Sequence, residues 1–296
     1  MPVTRFGTVI TAMVTPFTEN LEVDLERTAQ LVDYLIDLGS DGLLVTGTTG
    51  ESPTLSIEEK VELWRTVIKA ARGRVPVMVG TGSNDTRQSV LLTKKAEEVG
   101  ADAVLLVTPY YNKPPQNALY AHFKAVAQST RLPVMLYNVP GRTGRNIDPA
   151  TVVHLAQDVP NIVALKEAGG NLDQVSEICR AAPPGFQVYS GDDSLTLPML
   201  ALGAKGVVSV ASHLIARQLR QMVESFQAGN WQKALEIHLK YFPLFKGLFF
   251  TTNPSPVKAA MKMVGFPVGG LRLPLLPLTQ KEEEQLRGVL QEVGLL

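Results

Sequence analysis

Eight short runs of aliphatic and β-branched residues recur along the first three-quarters of the chain, and longer amphipathic stretches separate most of them. They are "TVITAMV" (8–14), "DGLLVTG" (41–47), "PVMVGTG" (76–82), "AVLLVTP" (103–109), "PVMLYNV" (133–139), "IVALKE" (162–167), "QVYSGD" (187–192) and "GVVSVAS" (206–212). Most are apolar at consecutive positions rather than at alternate ones, so both faces of the strands call for burial. A doubly buried strand followed by a helix that carries the chain back builds a parallel sheet. Eight such units specify an α/β fold of the (β/α)8 TIM-barrel type rather than a doubly wound sheet.

The intervening stretches have helical spacing. "DLERTAQLVDYLIDLG" (24–39) sets Leu25, Thr28, Leu31, Val32, Leu35 and Leu38 on one face, with Gly39 as the stop. "IEEKVELWRTVIKAARG" (57–73) follows Ser56, which stands three residues before Glu59 in the spacing of a capping box. Beyond about residue 230 no run reads as a strand, and "WQKALEIHLKYFPLFKGLFF", "SPVKAAMKMVG" and "TQKEEEQLRGVLQEVG" read as helices broken by Pro and Gly. The expected organisation is a catalytic barrel over 1–229 and a small helical appendage over 230–296.

Several function classes fall away on composition. Lys plus Arg and Asp plus Glu are equal, at 28 each, so there is no electrostatic footprint for nucleic acid or an acidic membrane. The single Cys179 forms no internal disulfide and reads as core filler, which suits a reducing cytoplasm. "MPVTRFGTVITAMVTPF" lacks the pattern of a secretory leader, and no apolar run approaches the ~20 residues that span a bilayer. The expectation is a soluble cytoplasmic protein. His122, His154, His213 and His238 follow no metal-ligand spacing, and the adjacent Asp192 and Asp193 would face opposite ways on a strand, so no metal site is expected. Dinucleotide, phosphate-loop and nucleophile-elbow motifs are absent from the sequence.

Active sites of (β/α)8 barrels lie at the C-terminal ends of the strands. Those ends carry this chain's unusual residues: "GTTGES" (47–52), "TGSND" (81–85), "TPYYNKP" (108–114), "YNVPGRTG" (137–144), Lys166 and "SGDD" (190–193). A lysine closing an apolar strand has an ordinary reading, a side chain that snorkels to solvent or pairs with Glu167. It also has a chemical one. Burial disfavours the ammonium form, and lowering the amine from ~10.4 towards ~7–8 makes it a nucleophile for a carbonyl. The protonated imine then draws electrons from the neighbouring carbon. Tyr137, on the adjacent strand, offers a phenol as acid or base, or else is a core tyrosine. Thr48 and Thr49 offer hydroxyls and backbone N–H groups to a carboxylate, or else form only a turn. Arg142 offers a guanidinium fork, or else lies in solvent.

"GTTGES", "PYYNKP", "YNVPGRTG", "LKE", "SGDD", "GVVSV" and "NPSPVKAAM", in this order, resemble the dihydrodipicolinate synthase family over nearly the whole chain. The wider superfamily includes N-acetylneuraminate lyase and 2-keto-3-deoxy-sugar-acid aldolases, which share the barrel, the lysine and the tyrosine. The resemblance implies a lyase that condenses pyruvate with L-aspartate-4-semialdehyde to 4-hydroxy-tetrahydrodipicolinate, in the diaminopimelate route to lysine. A sister pyruvate aldolase is the alternative. Arg142 argues against it, because a polyhydroxylated aldehyde is better met by hydroxyl and amide groups.

By the same resemblance Lys166 forms the imine and Tyr137 moves protons, while Thr49 links Tyr137 to Tyr111 of a neighbouring subunit. Thr48 and Thr49 contact the pyruvate carboxylate, Arg142 binds that of the semialdehyde, and Gly191 and Val208 line the pyruvate pocket. The implied assembly is a homotetramer, a dimer of tight dimers. No cofactor is implied, since the lysine is the electron sink. Positions matching the family's lysine-inhibition site are Ser52, Pro53, Ile57, Lys60, Asn84, Gln88 and Tyr110. Ile57 and Lys60 replace histidines there and Gln88 replaces a glutamate, which points to weak or absent inhibition.

Overall fold

Each apolar run forms a strand, and most strands are shorter than their runs. The computed structural model describes residues 6–296, and in it the strands are β1 (Val9–Ala12), β2 (Gly42–Val45), β3 (Val77–Gly80), β4 (Ala103–Val107), β5 (Val134–Asn138), β6 (Ile162–Glu167), β7 (Gln187–Ser190) and β8 (Gly206–Ser209). All pair in parallel with their sequence neighbours, and β8 closes on β1. This is the (β/α)8 barrel that the sequence specifies. Residues 1–5, which belong to the N-terminal stretch read for a leader and to the expected 1–229 segment, lie outside the described residues. The difference in strand length falls mainly at the C-terminal ends. There the backbone leaves the sheet to build loops: Thr46, directly after β2, already has a φ of 52°.

Strand alternation sorts the side chains into two layers. Ile10, Leu44, Met78, Leu105, Met135, Ala164, Tyr189 and Val208 fill the barrel interior. Val9, Leu43, Val79, Val104, Leu136 and Leu165 face outward into a second core shared with the helices. On β6, Ala164 points in and Leu165 points out, so Lys166 points in and Glu167 out.

Helix Leu25–Leu38 starts on the Asp24 side chain, which accepts from the Arg27 N–H, and ends at Gly39 with a φ of 114°. Thr28, Leu31, Val32 and Leu35 are its buried residues. Leu25 departs from the expected face and is 36% exposed. Side chains lean towards a helix's N-terminus, so a first-turn leucine projects past its neighbours. The Ser56–Glu59 capping box forms at helix Ile57–Ala71, and Trp64 from that helix donates to Thr46 Oγ1 at 2.8 Å.

Beyond the barrel come helices Trp231–Gly247, Ser255–Met263 and Gln280–Glu292. Pro243 does not break the first of these. The carbonyl it leaves without a helical partner belongs to Leu239, which lies on the exposed side of the helix. Leu244, Met261 and Leu286 join the same outer core as the barrel helices. Among the described residues no helix is long and apolar enough to cross a membrane.

Candidate active site

Tyr137 and Lys166 stand opposite each other in the β5–β6 register. Both point into the barrel and both are 6% exposed. The Lys166 amine lies 4.2 Å from the centroid of the Tyr137 ring. Burial lowers Lys166 from 10.5 to about 7, opposed by the charge of Asp193 and aided by that of Arg142. Burial likewise pushes the Tyr137 phenol up, against Arg142 and the Thr48 hydroxyl. The site therefore holds an amine that is substantially neutral near pH 7 beside a phenol that keeps its proton.

Gly191, at the end of β7, makes room for that lysine. A Cβ there would lie 3.0 Å from Lys166 Cε and 2.7 Å from Ala168 Cβ. Val208 packs in the same interior layer as Tyr137. Glu167 takes no part in pairing with Lys166, because its side chain points the other way. Asn138 Nδ2 donates to both of its oxygens at 3.1 and 2.9 Å, and Gln174 Nε2 donates at 2.9 Å. This network joins the ends of β5 and β6 directly behind the two reactive residues.

A cavity of about 370 Å³ opens beside Tyr137, lined by Thr48, Lys60, Gln88, Tyr110, Arg142 and others. Its described lining contains two cations, Lys60 and Arg142, and no Asp or Glu, which suits an anionic ligand. Ser52 and Pro53 also line it, whereas Ile57 and Asn84 do not. Lys60 is buried, and desolvation lowers its amine.

The hydroxyl that lowers the Tyr137 phenol is that of Thr48, the neighbour of the expected Thr49. Consecutive residues in a turn face different ways, and Thr49 turns inward to accept from Asn253 Nδ2 at 2.9 Å. Tyr111, expected to act in the site of a neighbouring subunit, is 89% exposed on this chain, at a φ of 73°. Asp192 and Asp193 lie not on a strand but at the start of a short 3-10 turn. There the Asp193 carboxylate accepts from the Val210 and Ala211 N–H groups at 3.0 and 2.9 Å.

Sequence reading gave no role to Asn138, Asn253 or Asp193, the last weighed only as a metal ligand, although all three lie in stretches it singled out: "YNVPGRTG", "NPSPVKAAM" and "SGDD". The histidines outside the site are structural. His213 accepts from the Val14 N–H at 3.1 Å, and burial lowers it to about 4.

Comparison with known proteins gives a consistent result. The model of the dihydrodipicolinate synthetase family matches residues 5–293. A 4-hydroxy-tetrahydrodipicolinate synthase of Desulforamulus reducens is 54% identical over 296 residues, covering 100% of each chain. One from Halalkalibacterium halodurans is 58% identical over 282 residues, covering 95% of each. A crystal structure of the Cyanidioschyzon merolae enzyme with lysine bound superposes with a TM-score of 0.97 at 50% identity, covering 98% of this chain and 99% of that one.

Burying the Lys166 amine has a stability consequence. An unfolded chain holds that proton up to about 10.5 and the folded one only to about 7, so folding is opposed in full below pH 7 and progressively less as pH rises to 10.5. Lys166→Met should therefore raise the unfolding free energy by several kcal/mol at pH 6, with the gain shrinking by roughly 1.4 kcal/mol per pH unit above 7. Denaturant melts across that range check it. A gain independent of pH would show that the amine is not desolvated.

Proposed function

The chain belongs to the dihydrodipicolinate synthetase family and condenses pyruvate with L-aspartate-4-semialdehyde to 4-hydroxy-tetrahydrodipicolinate on the diaminopimelate route to lysine, and we propose that it does so through an imine on Lys166. One observation carries this reading: an amine brought to about 7 by burial, held 4.2 Å from the ring of a buried tyrosine.

The neutral Lys166 amine attacks the carbonyl carbon of pyruvate. Loss of water gives a protonated imine, whose positive charge acidifies the methyl group. Tyr137, through Thr48, carries the proton that leaves that carbon. The resulting enamine attacks the aldehyde carbon of the second substrate. That substrate's amino group then displaces Lys166 from the imine carbon, which closes the ring and frees the lysine. Thr48 and Thr49 hold the pyruvate carboxylate. Arg142 receives the carboxylate of the semialdehyde and, as a cation beside Lys166, favours the neutral amine. Gly191 and Val208 shape the pyruvate end of the pocket.

The exposed Tyr111 suits a residue that completes the site of a neighbouring subunit, as the tight dimer of a homotetramer requires. A cytoplasmic location follows from the same biosynthetic role. We place the catalytic barrel at 1–229 and a bracing helical region at 230–296.

Pyruvate with borohydride should fix a reduced pyruvyl group on Lys166, as read by peptide mass mapping. Lys166→Ala should lose both the label and nearly all activity. A label on another residue would overturn the mechanism.

A relative with lysine bound shows that this fold accommodates lysine. Here free lysine would bring two ammonium groups and one carboxylate to a cavity whose described lining holds Lys60 and Arg142 and no acid, with Gln88 in place of a charge partner; only the carboxylate gains, by meeting Lys60. Two like charges at ~4 Å repel by roughly 4 kcal/mol at an intermediate dielectric, and even part of that weakens binding greatly. Synthase activity at saturating pyruvate should be little affected by lysine. Full inhibition at submillimolar lysine would contradict this.

A further inference from the structure

The loop that carries Thr48 and Thr49 is fastened not only by the barrel but by the region beyond it. Thr49 accepts from Asn253 Nδ2 at 2.9 Å across 204 residues of sequence, and both side chains are buried. Two residues on, the Glu51 carboxylate meets the Lys258 amine at 2.6 Å, with both side chains almost wholly buried. Glu51 also accepts from the Arg272 backbone N–H at 3.0 Å. Lys258 donates onward to the Gly270 carbonyl at 2.7 Å, and Arg272 donates to the Thr54 carbonyl and to both oxygens of Glu59.

A buried ion pair is a poor source of stability, because desolvating both charges offsets their attraction, and a well-packed apolar pair does as well. Such a pair does fix position. Here it fixes an awkward one: Glu51 has a φ of 53°, a backbone state that a side chain rarely adopts and that persists only where the surroundings over-determine it. Thr15 Oγ1 adds a further tie, donating to the Gly50 carbonyl at 2.7 Å.

The direction of the Asn253 bond carries the chemical content. A hydroxyl has one hydrogen to give. With the Asn253 amide nitrogen placed towards the Thr49 oxygen and Asn253 Oδ1 left without a partner, Thr49 keeps its own hydrogen, and among the described residues it gives it to no acceptor. An acceptor-only neighbour at 253 would instead take that hydrogen and leave Thr49 only lone pairs to offer another group.

We propose that Asn253 is a positioning residue for the pyruvate carboxylate. It sets Thr49 as a hydrogen-bond donor, while the Glu51–Lys258 pair holds the loop in place. The region 230–296 thereby serves pyruvate recognition from outside the barrel. This rests on the reading that pyruvate's carboxylate docks at Thr48 and Thr49.

Replacing Asn253 by Asp and by Ala separates this role from a structural one. Asn253→Asp keeps the shape but cannot donate, and it adds a charge that repels a carboxylate. Asn253→Ala removes the donor and leaves Thr49 free to rotate. The expected order of pyruvate KM is wild type, then Asn253→Ala, raised a few-fold, then Asn253→Asp, raised roughly tenfold to a hundredfold, with kcat and the semialdehyde KM changing much less. A packing role predicts the reverse order, since alanine leaves a void and aspartate does not. On a Thr49→Val background, Asn253→Asp should raise pyruvate KM much less than it does in the wild type, because the residue acts through the threonine. Alanine worse than aspartate, an unchanged pyruvate KM, or equal effects in both backgrounds would overturn the proposal. The pyruvate KM of Thr49→Val alone, measured alongside, tests the underlying reading separately: a raised KM for Thr49→Val beside an Asn253→Asp of normal pyruvate KM refutes this inference alone.

Discussion

The burial of one amine governs the layout of this protein. Lys166 stands one residue before the end of β6, its inward neighbour Ala164 is apolar, and it points into an interior filled by Met135, Tyr189 and Val208. Nothing there solvates an ammonium as water does, so the amine gives up its proton near neutral pH. The barrel supplies what an open surface could not: eight strands closed into a ring exclude water from the point where the strand ends meet the loops.

Everything close to Lys166 serves either to keep it buried or to keep it aimed. Gly191 yields the space for its methylenes, and the Tyr137 ring covers its amine. Asp193 opposes the loss of charge and Arg142 promotes it, so the pair sets how far burial can act. Behind the strands, Glu167 does for β5 and β6 what Glu51 does for the threonine loop: a buried carboxylate gathers several donors and fixes two chain segments against each other. Of the two, the Glu167 knot is built within the barrel, whereas the Glu51 knot draws on residues more than two hundred positions away.

The barrel was legible because its signal is local and repeated. Eight doubly apolar runs with helical spacers leave few other arrangements, and the strand-end rule puts Lys166 and Tyr137 at the active face. Their inward direction was not legible, because runs apolar on both faces do not say which side chains point into the barrel. The choice between Thr48 and Thr49 was not legible, because turn geometry, not spacing, decides which of two neighbouring hydroxyls faces a phenol. Asn253, Lys258 and Arg272 were hidden for a different reason. Their partners lie far off in the chain, and a lysine or arginine in a helical tail reads as surface until the fold buries it. Pro243 shows the limit of punctuation residues: it lies inside a helix that continues past it.

The central claim is that the fold, before any substrate arrives, holds Lys166 as an amine about half neutral at pH 7. The direct measurement is an NMR titration of substrate-free protein labelled at the lysine Cε carbons, from about pH 5 to 11, with the Lys166 resonance assigned by its loss in Lys166→Met. The account predicts one lysine titrating with a midpoint near 7, at Lys166. A Lys166 midpoint near the ordinary 10.5 would contradict it.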